Sequence, residues 1–180
     1  MIEIIAGEKG KGKTKELLAK VNHSVTAASG NIVYLDKSQK HMYELNNKVR
    51  LINVMDYPID NCDEFLGFLC GIVSQDHDLE EMYLDSFLTI AFTETDDEIQ
   101  HAIEKLDIIS EKYNVKFILS VSRDESRLIL VIIGRMAETV GDRQQLIFFL
   151  SFVPTLNSSI KTDRVKSTDT YQRIDNAGKP

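Results

Sequence analysis

The chain has 180 residues, 43% of them hydrophobic and 27% charged, the size and composition of one globular domain. Its formal net charge of −7 argues against non-specific binding to nucleic acid or to an anionic membrane, since both need a positive field. Cys62 and Cys70 belong to no His/Cys grouping of zinc-site spacing and are expected to be buried, reduced core thiols. The longest apolar runs, Leu128 to Ile133 and Leu146 to Leu150, fall far short of the roughly 20 residues that span a bilayer. Met1 to Ala6 is too short for a signal peptide and carries Glu3, so a cytoplasmic protein without a membrane span is expected.

Ile2 to Ala6 is an isoleucine-rich run suited to a buried parallel strand. Gly7-Glu8-Lys9-Gly10-Lys11-Gly12-Lys13-Thr14 follows at once and fits G-x-x-x-x-G-K-[ST] at every fixed position. Such a match arises by chance in about one chain in a hundred of this size. Gly7, Gly10 and Gly12 let the backbone curve and aim N–H groups inward, and the positive end of the next helix adds its dipole. In this pattern Lys13 reaches the β- and γ-phosphates of a nucleoside triphosphate, and the Thr14 hydroxyl coordinates Mg2+. Glu8, Lys9 and Lys11 occupy variable positions; the two lysines either add charge around the phosphates or point into solvent. The helix is expected to bury Leu17, Leu18, Val21, Val25 and Ala28, with Gly30 as its stop signal.

Ile32 to Asp36 reads as the second strand and Arg50 to Asp56 as the third, with Pro58 in the turn after it. Asp63 to Ser74 reads as a helix burying Phe65, Leu66, Phe68, Leu69, Ile72 and Val73. Its Gly67 and Gly71 either allow close approach to the sheet or simply weaken the helix. Glu81 to Leu88 carries apolar residues into Asp85, a strand-end carboxylate that can hold the magnesium shell through water. Thr95-Asp96-Asp97-Glu98 is a capping box opening a helix through Tyr113, its acids being first-turn charges rather than a metal cluster. Val115 to Ser122 is a further strand whose Ser120 or Ser122 is placed to sense a γ-phosphate or to close a turn. Beyond it, Ser126 to Ile133 could return as an antiparallel hairpin strand and Gln145 to Val153 as another strand. Residues 154–180 read as a flexible polar tail, leaving one domain over residues 1–153.

The order of Gly7 to Thr14, Ile32 to Asp36, Leu84-Asp85-Ser86 and Phe117 to Ser122 resembles the RecA-like (ASCE) branch of P-loop ATPases. That resemblance implies a three-layer α/β/α fold with a mainly parallel sheet, extended by antiparallel C-terminal strands if residues 126–153 form them. It implies ATP and Mg2+ as cofactors, Lys13 and Asp85 in the catalytic machinery, and Thr14 and Asp85 at the metal. The opening also looks like small bacterial ATP-binding proteins sometimes named after the PilT twitching-motility ATPase, without the acidic and histidine boxes of that motor. The variant loop of partition-type ATPases places a lysine where this chain has Glu8. The family pattern further implies a glutamate that orients the attacking water; here Asp85 is followed by Ser86, leaving Asp36 or Glu44 as substitutes. Asn47-Lys48-Val49-Arg50 departs from the GTPase motif Asn-Lys-x-Asp, which favours ATP over GTP.

These residues predict an ATP-binding protein, either a slow ATPase (a hydrolase) or a nucleotide-dependent switch, working with a protein partner or as a homo-oligomer. Two alternatives stand beside it. One is a small-molecule kinase, since Lys13 to Leu18 is similar to the start of thymidine kinase, although the Asp-Glu pair and cysteine-rich lobe which that family implies are missing. The other is a non-enzymatic adaptor that nucleotide merely stabilises.

Overall fold

The structure, a computed structural model, describes residues 1–124 and Leu128. Five strands, β1 (Ile2–Ala6), β2 (Asn31–Asp36), β3 (Val49–Asn53), β4 (Leu79–Leu84) and β5 (Lys116–Val121), alternate with four helices. The helices are α1 (Lys13–Ser24), α2 (Cys62–Gln75), α3 (Phe87–Ile90) and α4 (Asp96–Tyr113). All strand pairs are parallel and the sheet runs β1-β5-β4-β2-β3. Over the described residues the fold is therefore α/β, with a five-stranded parallel sheet and helices on both faces. No helix among the described residues is long and apolar enough to cross a membrane.

The crossover rule explains which helix covers which face. Parallel connections are right-handed, so reversing the direction of travel across the sheet puts the connecting helix on the other face. From β1 to β2 the chain moves one way, and α1 packs Leu17, Leu18 and Val21 against Ile5, Ile32, Tyr34, Tyr83 and Ile118. From β3 to β4 and from β4 to β5 it moves back. The helices of those connections cover the opposite face, where Phe65, Leu69, Phe87, Ile99 and Leu106 meet Val33, Leu35, Met82, Leu84, Phe117 and Leu119. The β2–β3 connection travels in the first direction again, and its Leu45 packs with the α1 cluster. There Asn22 of α1 donates to the Glu44 carbonyl and accepts from Asn46 N–H, both at 2.8 Å.

Several boundaries differ from the sequence reading. Helix α1 ends at Ser24 rather than Ala28, and turn bonds such as Val25 N to Val21 O and Ala28 N to Ser24 O carry the chain past it. Gly30 is not its stop signal. A Cβ on Gly30 would lie 2.0 Å from the Asp78 carbonyl oxygen, so glycine is required by the backbone beside it, where β2 starts to pair with β4. Strand β3 stops at Asn53, whose side chain accepts from Met55 N–H and turns Val54–Asp56 into a short 3-10 helix. Phe87 and Leu88 leave the strand for α3 because Ser86 adopts a left-handed conformation (φ 54°).

Gly67 and Gly71 face open space, which removes close approach as their reason. On the same helix Cys70 is exposed and Cys62 half-buried, so neither is the fully buried thiol expected; burial and the nearby Asp63 push the Cys62 thiol up to about 11. Phe68 is also only partly buried, tilted against Tyr57 at 4.6 Å between ring centroids. The Thr95 capping box forms as expected, with Glu98 accepting from both Thr95 and Glu94 N–H. Leu128 is helical, its N–H bonded to the Asp124 carbonyl, where the sequence suggested a hairpin strand. The other residues of that strand, the Gln145 to Val153 strand and the 154–180 tail lie outside the described residues.

Candidate functional site

Because all five strands are parallel, their C-terminal ends share one edge of the sheet, where loops leave the strands and ligands settle in open α/β folds. Alternation then decides which face each end residue takes. Tyr34, Tyr83 and Ile118 point toward α1, so Asp36, Asp85 and Ser120, two residues further along their strands, fall on that same side. The first turn of α1 lies there too. One period-two rule thus brings together residues up to 84 positions apart in the chain.

The loop from Gly7 to Thr14 connects β1 to α1. Gly10 and Gly12 have φ of 86° and 85°, left-handed values that L side chains rarely adopt. Gly12 is the N-cap of α1 and offers no side-chain cap, which leaves the helix's first N–H groups aimed past the loop. Glu8, Lys9 and Lys11 are exposed, with Lys11 only 4.0 Å from Glu8, so the solvent-facing reading of both lysines holds in this structure. Lys13 is the exception among the loop lysines. It is 8% exposed and donates to the carbonyls of Gly7 and Glu8, both at 2.8 Å. Burial lowers its pKa, and the Asp85 carboxylate acts in the opposite direction.

Asp85, 2% exposed, is the hub of the site. Its Oδ1 accepts from Ser120 Oγ at 2.5 Å, Ser86 N–H at 2.8 Å and Thr14 Oγ1 at 3.1 Å. Ser86 N–H also points at Ser120 Oγ, 2.8 Å away, a donor position that its left-handed backbone supplies. Ser120 is thus the serine that joins the site, whereas Ser122 is exposed. The two residues assigned to the metal, Thr14 and Asp85, are in direct hydrogen-bond contact.

Asp36 is 1% exposed at the end of β2, and its Oδ1 accepts Lys37 N–H at 2.7 Å. Burial first, and then the charge of Asp85, raise its pKa; Lys37 N–H, His41 and Lys40 only partly offset this. Between the two candidates for orienting a water, Asp36 lies at the edge beside Asp85. Glu44 is exposed, with Oε1 on His41 Nδ1 at 2.7 Å, so it acts on the site through that imidazole.

His41 was not singled out by its sequence context, a polar stretch without periodicity. One ligand atom each from Asp36, His41 and Asp85 lie within 4.8 Å of one another. The only sequence signal was position, five residues past a strand-end carboxylate.

A recess of about 590 Å3 opens elsewhere, at the N-terminal ends of α2 and α4, lined by residues including Asn61, Cys62, Phe92 and His101. None of the loop residues lines it, so it is not the acceptor pocket beside the loop that a small-molecule kinase needs. No protein-family model matches the chain, and no curated protein matches it.

Proposed function

We propose that the chain binds a nucleoside triphosphate with Mg2+, ATP in preference to GTP, in the loop from Gly7 to Thr14. The observation that carries this reading is the hydrogen bond of 3.1 Å between Thr14 and Asp85, at an uncapped helix N-terminus that follows two left-handed glycines. An anion suits that terminus because its first N–H groups and the helix dipole both favour negative charge. Lys13 is positioned to exchange the two loop carbonyls for phosphate oxygens, and its burial strengthens that attraction. Thr14 and Asp85 are the oxygen donors that fit Mg2+, with Ser120 and Ser86 N–H holding the carboxylate in place. Bound Mg2+ would neutralise charge on the phosphates.

Asp36 is the residue at the edge able to orient a water molecule, which makes slow hydrolysis or a nucleotide-dependent switch the two forms of this reading. The test is thermal unfolding with and without Mg-ATP on wild type and Lys13→Ala, with phosphate release followed in parallel. A ligand at 100 times its dissociation constant stabilises by about 2.7 kcal/mol. At about 2–4 °C per kcal/mol for a chain of this size, the midpoint should rise by about 5–11 °C in wild type only. Phosphate release then separates ATPase from switch. No shift with ATP or GTP, or an equal shift in Lys13→Ala, sinks the reading.

A further inference from the structure

Beside the loop, the sheet edge carries buried polar atoms that nucleotide binding does not use. Asp36 Oδ2 and His41 Nε2 are buried without a hydrogen-bond partner. The Tyr34 hydroxyl is likewise buried without a hydrogen-bond partner. Such an atom loses its water without gaining a partner, a loss that destabilises the fold and weighs more for a charged group. Here Asp36, only 1% exposed, stands next to Asp85, only 2% exposed. Two adjacent buried carboxylates repel, and a bridging water would fill a hydrogen bond without removing that repulsion.

The imidazole supplies the second half of the argument. His41 Nδ1 is 2.7 Å from Glu44 Oε1, so that carboxylate accepts the Nδ1 proton, and Nε2, buried without a partner, is the ring atom left to bind an ion. A carboxylate behind a histidine in this way fixes the tautomer and orients the ring in metal sites. Two ligands of one ion, at about 2.0–2.2 Å each, are at most about 4.4 Å apart. In tetrahedral geometry neighbouring ligands stand about 3.3–3.6 Å apart, so a set that lies within 4.8 Å closes with side-chain shifts of at most about 1.5 Å.

We propose that Asp36, His41 and Asp85 form a mixed nitrogen–oxygen site for a divalent transition-metal ion, taken up by the chain without nucleotide. One imidazole with two carboxylates suits Mn2+, Co2+ or Zn2+; Mg2+ prefers an all-oxygen shell and gains little from the nitrogen. The site shares Asp85 with the loop but does not rest on the loop's ligand being a nucleotide.

The test is a titration of the nucleotide-free full chain with Co2+, followed by visible absorption, then displacement by Mn2+, Zn2+ or Mg2+. One Co2+ per chain is expected, displaced by Mn2+ and Zn2+ and retained against excess Mg2+. His41→Gln and Asp36→Asn should each weaken Co2+ by at least tenfold, and Glu44→Gln by roughly 10–100-fold. Asp36→Asn removes a buried charge, so its metal-free unfolding midpoint should equal or exceed that of wild type, which separates lost ligation from lost folding. Absence of Co2+ binding overturns the proposal in favour of a proton or water shared between the carboxylates. Undiminished binding in His41→Gln, or displacement by Mg2+ as readily as by Mn2+, overturns it too. Since nucleotide is absent throughout, any of these failures leaves the loop's own test untouched.

Discussion

Ser120→Ala isolates what holds the Asp85 carboxylate in place. Ser120, 2% exposed, makes the shortest of the three hydrogen bonds to Oδ1, at 2.5 Å against 2.8 Å for Ser86 N–H and 3.1 Å for Thr14. Hydrogen bonds to a charged group contribute about 1.5–3 kcal/mol, and Oδ1 keeps two donors, which puts the expected loss near the lower end, about 1.5–2 kcal/mol. For a chain of this size that is a fall in midpoint of about 3–8 °C. Thr14→Ala removes the longest bond at a half-buried position that water can reach, so its cost should stay below about 1 kcal/mol. The order reverses for ligand: Thr14→Ala should weaken Mg-nucleotide more than Ser120→Ala, because only Thr14 is placed to touch the metal. Urea unfolding of Ser120→Ala, Asp85→Ala and the double variant measures the coupling directly. A coupling of about 1.5–2 kcal/mol is expected. Additive single-variant effects, or a Ser120→Ala cost under about 0.5 kcal/mol, would refute the assignment of Ser120 as the main support of Asp85.

Three further outcomes can be checked by unfolding. Gly30→Ala should cost about 1–3 kcal/mol, because its Cβ would stand 2.0 Å from the Asp78 carbonyl and the strand start must shift; a neutral or helix-extending substitution would restore Gly30 as a helix stop. Thr95→Ala should destabilise by about 1 kcal/mol through loss of the α4 cap, read as a lower urea midpoint with an unchanged slope. Asp36→Asn should stabilise the metal-free protein near neutral pH. The native carboxyl is held above its ordinary value of 3.8, so the folded state binds more protons than the unfolded chain between the two values, and stability falls as pH rises through that window. The benefit of asparagine should therefore vanish once pH drops below 3.8, and a pH-independent benefit would contradict the burial argument.

Most elements were legible because their signals are local. The Ile2–Ala6 strand, the glycine spacing of the loop and the Thr95 capping box each depend on residues within a few positions of one another. Asp85 was legible as a strand-end carboxylate for the same reason. The errors fell where a distant neighbour decides the outcome. Gly30 looks like a helix stop until Asp78 is seen against it, and the cysteines look like core residues until α2 chooses its buried face.

The sequence by itself determined that a strand, a glycine-rich loop and a helix follow one another at Ile2 to Ser24, because backbone conformation and periodicity are written in adjacent residues. Tertiary structure alone decided that Ser120 rather than Ser122 reaches Asp85, and that Glu44 stands behind His41. Strand order and side-chain alternation made those choices. Parallel pairing of β2, β4 and β5 stacks residues 36, 85 and 120 at one edge and on one face, a juxtaposition that no local pattern encodes.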